Sequence, residues 1–327
     1  MSAPFAARRP PVVVVTGPTA SGKTGLAIAL ALRFDGEIVN ADSMQVHRYM
    51  DIGTAKPTPA ERARVPHHLI DVADPDEPYS AGRYAREARA AFAEIHGRGR
   101  VPFLTGGTGL YIRAALHGLI DGVPADEALR ERLEGEQRRA EREGDPGRLH
   151  RRLEVGDPAT ARRIHPHDTR RVVRALEIAA EAGHPASRVR SEHGFEDSPY
   201  RTLHLALVPP RAELYARIDR RCREMIEAGL LQELRDLQEA GYGPGLRPMK
   251  AIGYRHVLPV ARGEDTLANA LEAMRRDTRH FARRQITWLR RVPDAVWLDP
   301  ARPEAIADLV AAFLAAGTDQ RSSATPV

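Results

Sequence analysis

Apolar runs and amphipathic segments alternate along the first third of the chain. Residues 12–16 (VVVVT) form a continuous β-branched run, which is typical of a strand buried on both faces of a sheet. A helical pattern follows at 25–34, a second strand at 37–41, a helix at 80–98 and a third strand at 101–105. Because strands and helices alternate in this order, the pattern predicts an α/β protein with a parallel sheet.

The hydrophobic pattern changes after about residue 119. Residues 126–144 are charged and strongly helical, and short helical segments continue to about residue 183 without a strand pattern. Residues 202–208 (TLHLALV) then predict a strand, residues 211–241 one long amphipathic helix, and residues 265–291 an arginine-rich helix. The pattern therefore predicts a helical insert within an α/β core.

These segments also predict where the domains begin and end. We expect a sheet core flanked by helices at 12–119 and 201–315, the latter part carrying the C-terminal helices, and an all-helical insert at 120–200. Residues 1–11 contain no long apolar run and predict a flexible leader, and residues 316–327 predict a disordered tail.

A phosphate-binding motif follows the first predicted strand. Residues 17–24 (GPTASGKT) fit the pattern G-x4-G-K-[ST] and lie between a strand and a helix, which is the context that this motif requires. Its glycines let backbone N–H groups surround phosphate oxygens at a helix N-terminus, while Lys23 supplies charge and Thr24 can bind Mg²⁺. The motif alone predicts a polyphosphate ligand together with Mg²⁺.

Asp42 is the acidic residue best placed to act beside this loop. Enzymes that use ATP or GTP normally place a carboxylate on Mg²⁺ at the end of a core strand, but the strands at 101–105 and 202–208 are followed by no acid. Asp42 directly follows the strand at 37–41, on the edge where parallel sheets bind ligands. It can be a general base for an acceptor group, a group that supports Mg²⁺, or a turn-capping aspartate.

Composition narrows the class of protein and its partners. The 327 residues carry a net charge of +5 with a pI of about 9.6, and Lys23, Lys56 and Lys250 are the only lysines, so arginine dominates. Arginine binds phosphate in a bidentate manner, although a GC-rich genome produces the same bias. The single cysteine, Cys222, excludes a disulfide framework and a zinc cluster. With no run of about 18 apolar residues, we expect a cytoplasmic protein without a membrane partner.

Two separate stretches are basic. Residues 148–190 contain ten arginines against five acidic residues, and residues 247–291 contain eleven lysines and arginines against four. Each stretch is compatible with a solvated helix face. Together, on both sides of a core, they are typical of a clamp around a folded RNA that is recognised by its shape and its unstacked bases.

Seven segments resemble the tRNA dimethylallyltransferase family. They are 17–24 (GPTASGKT), 40–45 (NADSMQ), 50–57 (MDIGTAKP), 106–111 (GGTGLY), 170–177 (RRVVRALE), 251–255 (AIGYR) and 284–290 (RQITWLR). The matches run in order from about residue 12 to about residue 298, so the resemblance covers most of the chain.

The resemblance implies a P-loop NTPase-like sheet and a specific reaction. A dimethylallyl group would pass from dimethylallyl diphosphate to N6 of adenosine 37, which is adjacent to the anticodon on its 3′ side in tRNAs that read codons starting with U. Diphosphate would leave with the help of Mg²⁺. The loop at 17–24 would then hold a leaving group rather than ATP, so the missing second carboxylate becomes less surprising.

The resemblance also implies roles for individual residues. Asp42 would accept the proton from the adenine amine, with Lys23, Thr24 and Thr108 completing the catalytic set and Thr24 binding Mg²⁺. Residues implied to bind the diphosphate are Gly17, Pro18, Thr19, Ala20, Ser21, Gly22, Lys23, Thr24, Arg217 and Arg221. Residues implied to contact tRNA are Asp42, Ser43, Met44, Gln45, Thr108, Arg130, Arg170, Arg171, Val172, Val173, Arg174, Lys250, Ala251, Ile252, Gly253, Tyr254, Arg255, Arg284 and Gln285.

The implied partners are the tRNA anticodon stem-loop, bound partly by the 120–200 insert, and dimethylallyl diphosphate, with no obligate protein partner and a monomeric enzyme. Two departures from the family pattern are visible: His47 stands where tyrosine is usual, and the zinc-finger extension of eukaryotic relatives is absent. Three alternatives remain open at this point. They are a P-loop kinase of a nucleoside or small alcohol, a prenyltransferase of free adenine nucleotides, and a non-catalytic RNA-binding module.

Overall fold

The computed structural model describes residues 9–118, 126–193, 198–300 and 302–316. Most of the predicted leader and tail (residues 1–8 and 317–327) therefore lies outside the described residues. The chain divides into two compact units, Met1–Leu116 with Pro199–Val327, and His117–Ser198. We call them the sheet unit and the helical unit.

A parallel sheet forms the centre of the sheet unit, as the sequence predicts. Its strands, in the spatial order β3-β2-β4-β1-β5-β6, are all paired in parallel. Their bounds are β1 Pro11–Thr16, β2 Gly36–Asn40, β3 His67–His68, β4 Val101–Gly106, β5 Arg201–Leu207 and β6 Ala295–Leu298.

Helices cover the sheet and build the second unit. Their bounds are α1 Lys23–Arg33, α2 Pro59–Arg64, α3 Ala81–Gly97, α4 Gly109–His117, α5 Glu127–Arg142, α6 Arg148–Gly156, α7 Pro158–Ala161, α8 Thr169–Ala182, α9 Ala186–His193, α10 Arg211–Glu227, α11 Leu230–Glu239, α12 Tyr254–Ala261, α13 Leu267–Leu289 and α14 Pro303–Ala315. A short 3₁₀ turn, Pro248–Lys250, precedes α12.

The valine run of β1 lies in the middle of the sheet and explains its two cores. Val12 and Val14 pack with α3 and α4 on one face, whereas Val13 and Val15 pack with α1 and α14 on the other. Successive side chains of a strand point to opposite faces, so an unbroken apolar run must be covered on both sides. All four valines are fully buried, as predicted.

The carboxyl ends of four neighbouring strands, β2, β4, β1 and β5, lie side by side at one end of the sheet. Thr16 pairs with Gly106 of β4 and with Ala206 of β5, and Asn40 pairs with Thr105. The segments that follow β1, β2 and β4 therefore emerge side by side. This register brings the loop after Thr16, Asp42 and the glycines after β4 to one place.

One predicted helix is wrong. Residues 211–241 form two helices, α10 and α11, which are separated at Ala228 and Gly229. Gly229 has a φ of 100°, a conformation that side chains with a Cβ rarely adopt, and it ends the first helix. The break lets Leu230, Leu234 and Leu237 of α11 join the apolar cluster that α10, α12 and α13 form beside the sheet.

Two strands were not predicted, and one strand begins earlier than predicted. Strands β3 and β6 were not predicted; they lie at the two edges of the sheet and are only two and four residues long. Pro11 was assigned to the leader but opens β1 and pairs with Arg201. The helical unit consists of helices within its described residues, and its core contains Leu133 and Leu153 among other aliphatic side chains.

Candidate active site

A cavity of about 370 Å³ opens at the carboxyl edge of the sheet. Its walls come from the loop after β1, from the segments after β2 and β4, and from α10, α13 and the turn before α12. This volume is in the range of pockets that hold small ligands. Lys23, Asp42, Thr108, Arg221 and Gln285 all line it, so the structure brings these predicted site residues together.

The phosphate-binding loop is shaped by its glycines. Gly22 has a φ of 90°, and α1 begins at the next residue, so the loop turns sharply into the helix N-terminus. A Cβ at Gly17 would lie 2.4 Å from the backbone oxygen of Leu207 on the neighbouring strand. The loop can therefore pack against β5 and present its N–H groups only with glycine at this position.

Lys23 points back across this loop. Its Nζ donates a hydrogen bond to the Pro18 carbonyl oxygen at 3.2 Å, and its side chain lines the cavity. The pKa of Lys23 is lowered to about 8, chiefly by burial; the Asp42 carboxylate raises the pKa and the Arg221 charge lowers it. A bound diphosphate would place further negative charge beside this ammonium group and would favour its protonated form.

Asp42 is held in place by its own loop. The Asp42 N–H donates to Asn40 Oδ1 at 3.2 Å, and Asp42 Oδ1 accepts from the Met44 N–H at 2.9 Å. The turn-capping role that the sequence left open is therefore real. It occupies one carboxylate oxygen and leaves the second without a hydrogen bond among the residues that the structure describes, so the same side chain can also accept a proton.

Thr108 connects the segments after β2 and β4. Its Oγ1 accepts from the Ser43 N–H at 3.0 Å and lies 3.3 Å from the Ser43 hydroxyl. The Thr108 N–H donates to the Ala41 carbonyl oxygen at 3.0 Å. Gly106 packs so tightly that a Cβ there would lie 2.2 Å from the same oxygen. These contacts fix the part of the cavity wall that carries Asp42.

Gln285 joins the phosphate-binding loop to the glycines after β4. Its Oε1 accepts from the Thr19 N–H at 2.8 Å, and its Nε2 donates to the Gly107 carbonyl oxygen at 3.0 Å. Both ends of the buried amide are thus engaged by the protein. Gln285 therefore supports the phosphate-binding loop from α13, and the contact with tRNA that the resemblance implies for it stays a prediction.

The two arginines of α10 stand differently beside the loop. Arg217 forms an ion pair with Glu213, and its Nη1 lies 3.5 Å from the Ser21 carbonyl oxygen. Arg221 lines the cavity, and burial lowers its pKa. Among the described residues Arg221 forms no ion pair. A partly buried guanidinium beside Lys23 favours an anionic ligand.

The turn before α12 contributes both exposed and buried residues. Lys250 and Arg255 are exposed and line the cavity, as do Ala251 and Ile252. Tyr254 is fully buried, with its hydroxyl on Glu233 at 2.7 Å. The Tyr254 ring therefore packs inside the protein, and the contact with tRNA that the resemblance implies for residues 250–255 stays a prediction.

α13 adds exposed and apolar groups to the cavity. Arg284 is exposed and lies over the ring of Phe281, with 5.7 Å from its Cζ to the ring centroid. Both residues line the cavity. Planar cationic and aromatic groups at a cavity wall are suited to contact with a nucleobase.

The helical unit carries its predicted cations on α5 and α8. Arg130 and Arg174 both contact the fully buried carboxylate of Glu177, at 2.9 Å and 3.2 Å respectively. Arg170 and Arg171 are exposed. Val172 and Val173 lie in the core of this unit, and the contact with tRNA that the resemblance implies for residues 170–174 stays a prediction.

The apolar wall of the cavity was not predicted from the sequence. Ile218, Cys222 and Met225 lie on one face of α10, and Met274 and Thr278 on the facing side of α13. The i, i+4, i+7 spacing on α10 was visible in the sequence. It could not be distinguished from an ordinary core face, because a cavity wall and a packed core have the same period.

Candidate metal ligands are few. Within the described ranges no group of three or more His, Cys, Asp or Glu side chains could hold a metal ion. Thr24 lines the cavity and offers a hard hydroxyl oxygen of the kind that suits Mg²⁺. Mg²⁺ commonly binds through few protein ligands together with substrate phosphates, so these residues fit a metal that arrives with a diphosphate. No helix in the described parts of the chain is long and apolar enough to cross a membrane.

The fold and this cavity define a class of protein: a P-loop enzyme whose cavity is lined by both the phosphate-binding loop and a carboxylate. A model of the IPP transferase family matches residues 45–292, and a model described as isopentenyl transferase matches residues 10–71. The chain belongs to the IPP transferase family.

Relatives with this fold extend over nearly the whole chain. A tRNA dimethylallyltransferase of Desulfosudis oleivorans is 52% identical over 310 residues, which is 94% of this chain and 98% of the relative. A tRNA dimethylallyltransferase of Geotalea uraniireducens is 50% identical over 91% of this chain and 94% of its own.

Solved structures show the same similarity. The tRNA isopentenylpyrophosphate transferase of Bacillus halodurans is 38% identical, with a TM-score of 0.70 over 96% of this chain and 99% of its own. A eukaryotic dimethylallyltransferase, described as acting on tRNA, is 31% identical, with a TM-score of 0.77 over 89% of this chain and 74% of its own. These similarities do not favour the P-loop kinase alternative.

Proposed function

We propose that this enzyme transfers the dimethylallyl group of dimethylallyl diphosphate to N6 of adenosine 37 in tRNAs that read codons starting with U. The observation that carries this proposal is that the phosphate-binding loop and Asp42 line the same cavity. The names of the relatives, which are tRNA dimethylallyltransferases, support tRNA as the acceptor and dimethylallyl as the transferred group.

The missing acid at two strand ends supports a diphosphate ligand over ATP hydrolysis. β4 ends at Gly106 and β5 at Leu207, and neither strand is followed by a carboxylate that lines the cavity. Nucleotide-hydrolysing P-loop enzymes usually require such a carboxylate on Mg²⁺. A diphosphate that only has to leave needs a cradle of N–H groups and cations, which this loop offers with Lys23 and Arg221.

The reaction breaks one bond and forms another at the same carbon. The N6 nitrogen of adenine attacks C1 of the dimethylallyl group, and the C1–O bond breaks with its electron pair going to diphosphate. N6 then loses a proton, which Asp42 accepts. An exocyclic amine is a weak nucleophile because its lone pair is delocalised, so orienting it and removing its proton both lower the barrier.

Residues of the loop would stabilise the charge that develops on the leaving group. Backbone N–H groups at the start of α1 and the Lys23 ammonium group are already in place before the reaction, so little reorganisation is needed. Mg²⁺, held by Thr24 together with diphosphate oxygens, would supply further positive charge. The predicted diphosphate contacts of Arg217 and Arg221 stay part of this proposal.

Contact with tRNA would use exposed cations near the cavity and on the helical unit. Lys250, Arg255 and Arg284 surround the cavity, and Arg170 and Arg171 are exposed on α8. RNA recognition commonly combines cations on the backbone with pockets for unstacked bases. The target adenine must leave its stack to reach a carbon inside the cavity, which costs a few kcal/mol and less in a loop.

A single assay tests the proposal. The protein is incubated with labelled dimethylallyl diphosphate, Mg²⁺ and unmodified tRNA, and the tRNA is digested to nucleosides. We expect labelled N6-(dimethylallyl)adenosine from position 37. Label on free adenosine or AMP without tRNA, or release of ADP from ATP with a nucleoside, would contradict the proposal.

We further propose that the enzyme acts as a cytoplasmic monomer without an obligate protein partner. The proposal is supported by a cavity whose described lining residues all belong to one unit of the chain. Sedimentation of the active protein at assay concentration tests the monomer, and activity that depends on a dimer would contradict it.

A further inference from the structure

Residues 50–57 resemble the family strongly, but the proposed mechanism gives them no role. In the structure they form a loop whose residues Gly53, Thr54 and Ala55 line the cavity. The loop is not part of a helix or strand, and hydrogen bonds within it, from the Ala55 N–H to the Ile52 oxygen and from the Lys56 N–H to the Asp51 oxygen, support its turns. Three consecutive N–H groups, at residues 51–53, are bound from outside the loop by one carboxylate. We call the part that carries them the 50–55 loop.

Glu233 of α11 accepts four hydrogen bonds, three from this loop and one from Tyr254. Its Oε2 accepts from the N–H groups of Asp51 at 2.9 Å and Ile52 at 2.7 Å. Its Oε1 accepts from the Gly53 N–H at 3.0 Å and from the Tyr254 hydroxyl at 2.7 Å. A carboxylate that accepts several N–H bonds holds a backbone firmly because charge-assisted bonds are the strong ones.

The loop in turn determines the direction of Gln45. Gln45 Nε2 donates to the carbonyl oxygens of Thr54 and Ala55, at 3.1 Å each. Both carbonyls belong to the loop that Glu233 holds. With its two N–H donors engaged, the Gln45 amide can offer a ligand only its Oε1, which accepts no hydrogen bond from any residue that the structure describes.

The packing at Gly53 shows how closely the loop is fitted. A Cβ at this position would lie 2.4 Å from the Tyr254 ring, whose hydroxyl is bound to the same carboxylate. Tyr254 is fully buried and opens α12, directly after the turn that carries Lys250 to Ile252. Glu233 therefore connects two walls of the cavity through one side chain.

We propose that Glu233 is a positioning residue, which holds the 50–55 loop so that Gln45 Oε1 faces the cavity as a hydrogen-bond acceptor. Taken with the proposed function, on which this part rests, the acceptor serves an N–H donor of the tRNA. A nucleobase amine or imino group can make this contact, whereas a phosphate or a carbonyl has no hydrogen to donate.

The phosphate-binding loop is held by other contacts. Thr19 is bound by Gln285, Lys23 by the Pro18 carbonyl oxygen, and Ser21 lies next to Arg217. None of these residues touches Glu233 or the 50–55 loop through a hydrogen bond. Loss of the Glu233 carboxylate should therefore impair the use of tRNA and leave the binding of dimethylallyl diphosphate intact.

Glu233→Gln tests this role with little change in shape. The amide presents one N–H donor where an oxygen accepted, so at least one loop N–H loses its partner. We expect kcat/KM for tRNA to fall roughly 10- to 100-fold, as displaced positioning groups typically cause, while KM for dimethylallyl diphosphate stays within about twofold. Glu239→Gln, the same substitution at an exposed position of α11, is the matched control and should match the wild type.

A double-mutant cycle with Gln45→Ala distinguishes positioning from general destabilisation. If Glu233 acts through Gln45, the double variant should be no worse for tRNA than the poorer single variant, because interacting residues are not additive. Fully additive losses, an equal rise in the KM for dimethylallyl diphosphate, or unchanged kinetics of Glu233→Gln would each overturn the proposal.

Two further measurements keep the test decisive. Tyr254→Phe removes a single hydrogen bond to Glu233 and keeps the ring, so it should show a smaller loss in the same direction even if Glu233→Gln does not fold. Amide hydrogen exchange at residues 51–53 should be faster in Glu233→Gln, and unchanged exchange would overturn the positioning role. Wild-type protein that fails to prenylate tRNA would contradict only the proposed function.

Discussion

At the scale of single residues, Asp42 combines a structural and a chemical task. One carboxylate oxygen accepts the Met44 N–H and so fixes the side chain, while the other remains available to the cavity. A side chain that is oriented by its own loop loses little entropy when it meets a substrate. The same hydrogen bond makes a conservative test possible.

We predict that Asp42→Asn abolishes most turnover and leaves tRNA affinity within a few-fold. The amide oxygen can still accept the Met44 N–H, so the loop should keep its shape, but the amide cannot take a proton. Loss of a general base typically costs about 10²- to 10⁴-fold in rate. Single-turnover rates and tRNA binding measure the two effects, with exposed Asp76→Asn as control. Unchanged turnover would remove Asp42 from the mechanism.

The second prediction at this scale concerns the protonation of Lys23. Because its pKa is about 8 in the protein without ligand, Lys23 is charged below that pH and increasingly neutral above it. Above pH 8, binding of a diphosphate must be accompanied by proton uptake. The affinity advantage of wild type over Lys23→Met for dimethylallyl diphosphate should therefore be large near neutral pH and shrink at higher pH.

The ratio of the affinities of the two proteins cancels the effect of the ligand's own titration. Binding is measured from about pH 7 to about pH 9.5, well below the ordinary pKa of lysine near 10.4. A ratio that stays constant across this range would show that Lys23 keeps its charge. Burial would then not lower the pKa of Lys23 into this range.

At the scale of elements, the break between α10 and α11 shapes the cavity. Gly229 has a left-handed backbone conformation, and the chain turns there. As a result, α10 places Arg217 and Arg221 beside the phosphate-binding loop, whereas α11 places Glu233 against the 50–55 loop. A single straight helix over 211–241 could not do both. The left-handed conformation is the reason that one helix became two.

We predict that Gly229→Ala lowers the free energy of unfolding by about 1 kcal/mol, since a Cβ disfavours the left-handed region. Chemical denaturation measures the change. Gly243→Ala is the control, because this glycine has no positive φ and a Cβ there would meet nothing within 4 Å. An equal effect in both variants would show that the backbone at Gly229 is not the cause.

How far an element could be predicted depended on its length and burial. The fully buried run of β1 and the motif after it were evident, because both follow from a continuous apolar pattern and fixed glycines. β3 and β6 have two and four residues and are only partly buried, so no periodic pattern marks them. They are strands only because neighbours offer them hydrogen bonds, which a sequence does not display.

The candidate site shows the same division. Residues in recognisable motifs were found, and the structure places Lys23, Asp42 and Thr108 around one cavity. Glu233 was not found, because it lies in an ordinary amphipathic helix and acts on backbone groups 180 or more residues earlier. Burial was also invisible: Tyr254 and Val172 lie in motifs that resemble RNA contacts, yet their side chains are inside.

At the scale of the whole molecule, the helical unit presents cations of two kinds. Arg130 and Arg174 share the buried carboxylate of Glu177, so part of their charge is already compensated, whereas Arg170 is exposed on the same helix as Arg174. RNA phosphates are contacted most easily by cations that do not share a buried carboxylate of the protein. This distinction was not available from the count of charges in the sequence.

We predict that Arg170→Glu weakens tRNA binding and leaves the KM for dimethylallyl diphosphate unchanged. If the residue contacts one phosphate, the dependence of affinity on salt should also decrease by roughly 0.7 to 0.9 in slope. Arg139→Glu introduces the same charge change at another exposed position of this unit and should have a smaller effect. Equal losses in both variants would indicate only long-range attraction, and would contradict a specific contact on α8.

The central claim is that the phosphate-binding loop holds a leaving group that departs from carbon. The most direct test uses dimethylallyl diphosphate with heavy oxygen in the bridge between C1 and phosphorus, incubated with enzyme, Mg²⁺ and tRNA. Mass spectrometry of the products should find the heavy oxygen in the released diphosphate and none in the prenylated adenosine. Heavy oxygen retained in a prenyl alcohol, or a phosphoryl group on the acceptor, would contradict the account.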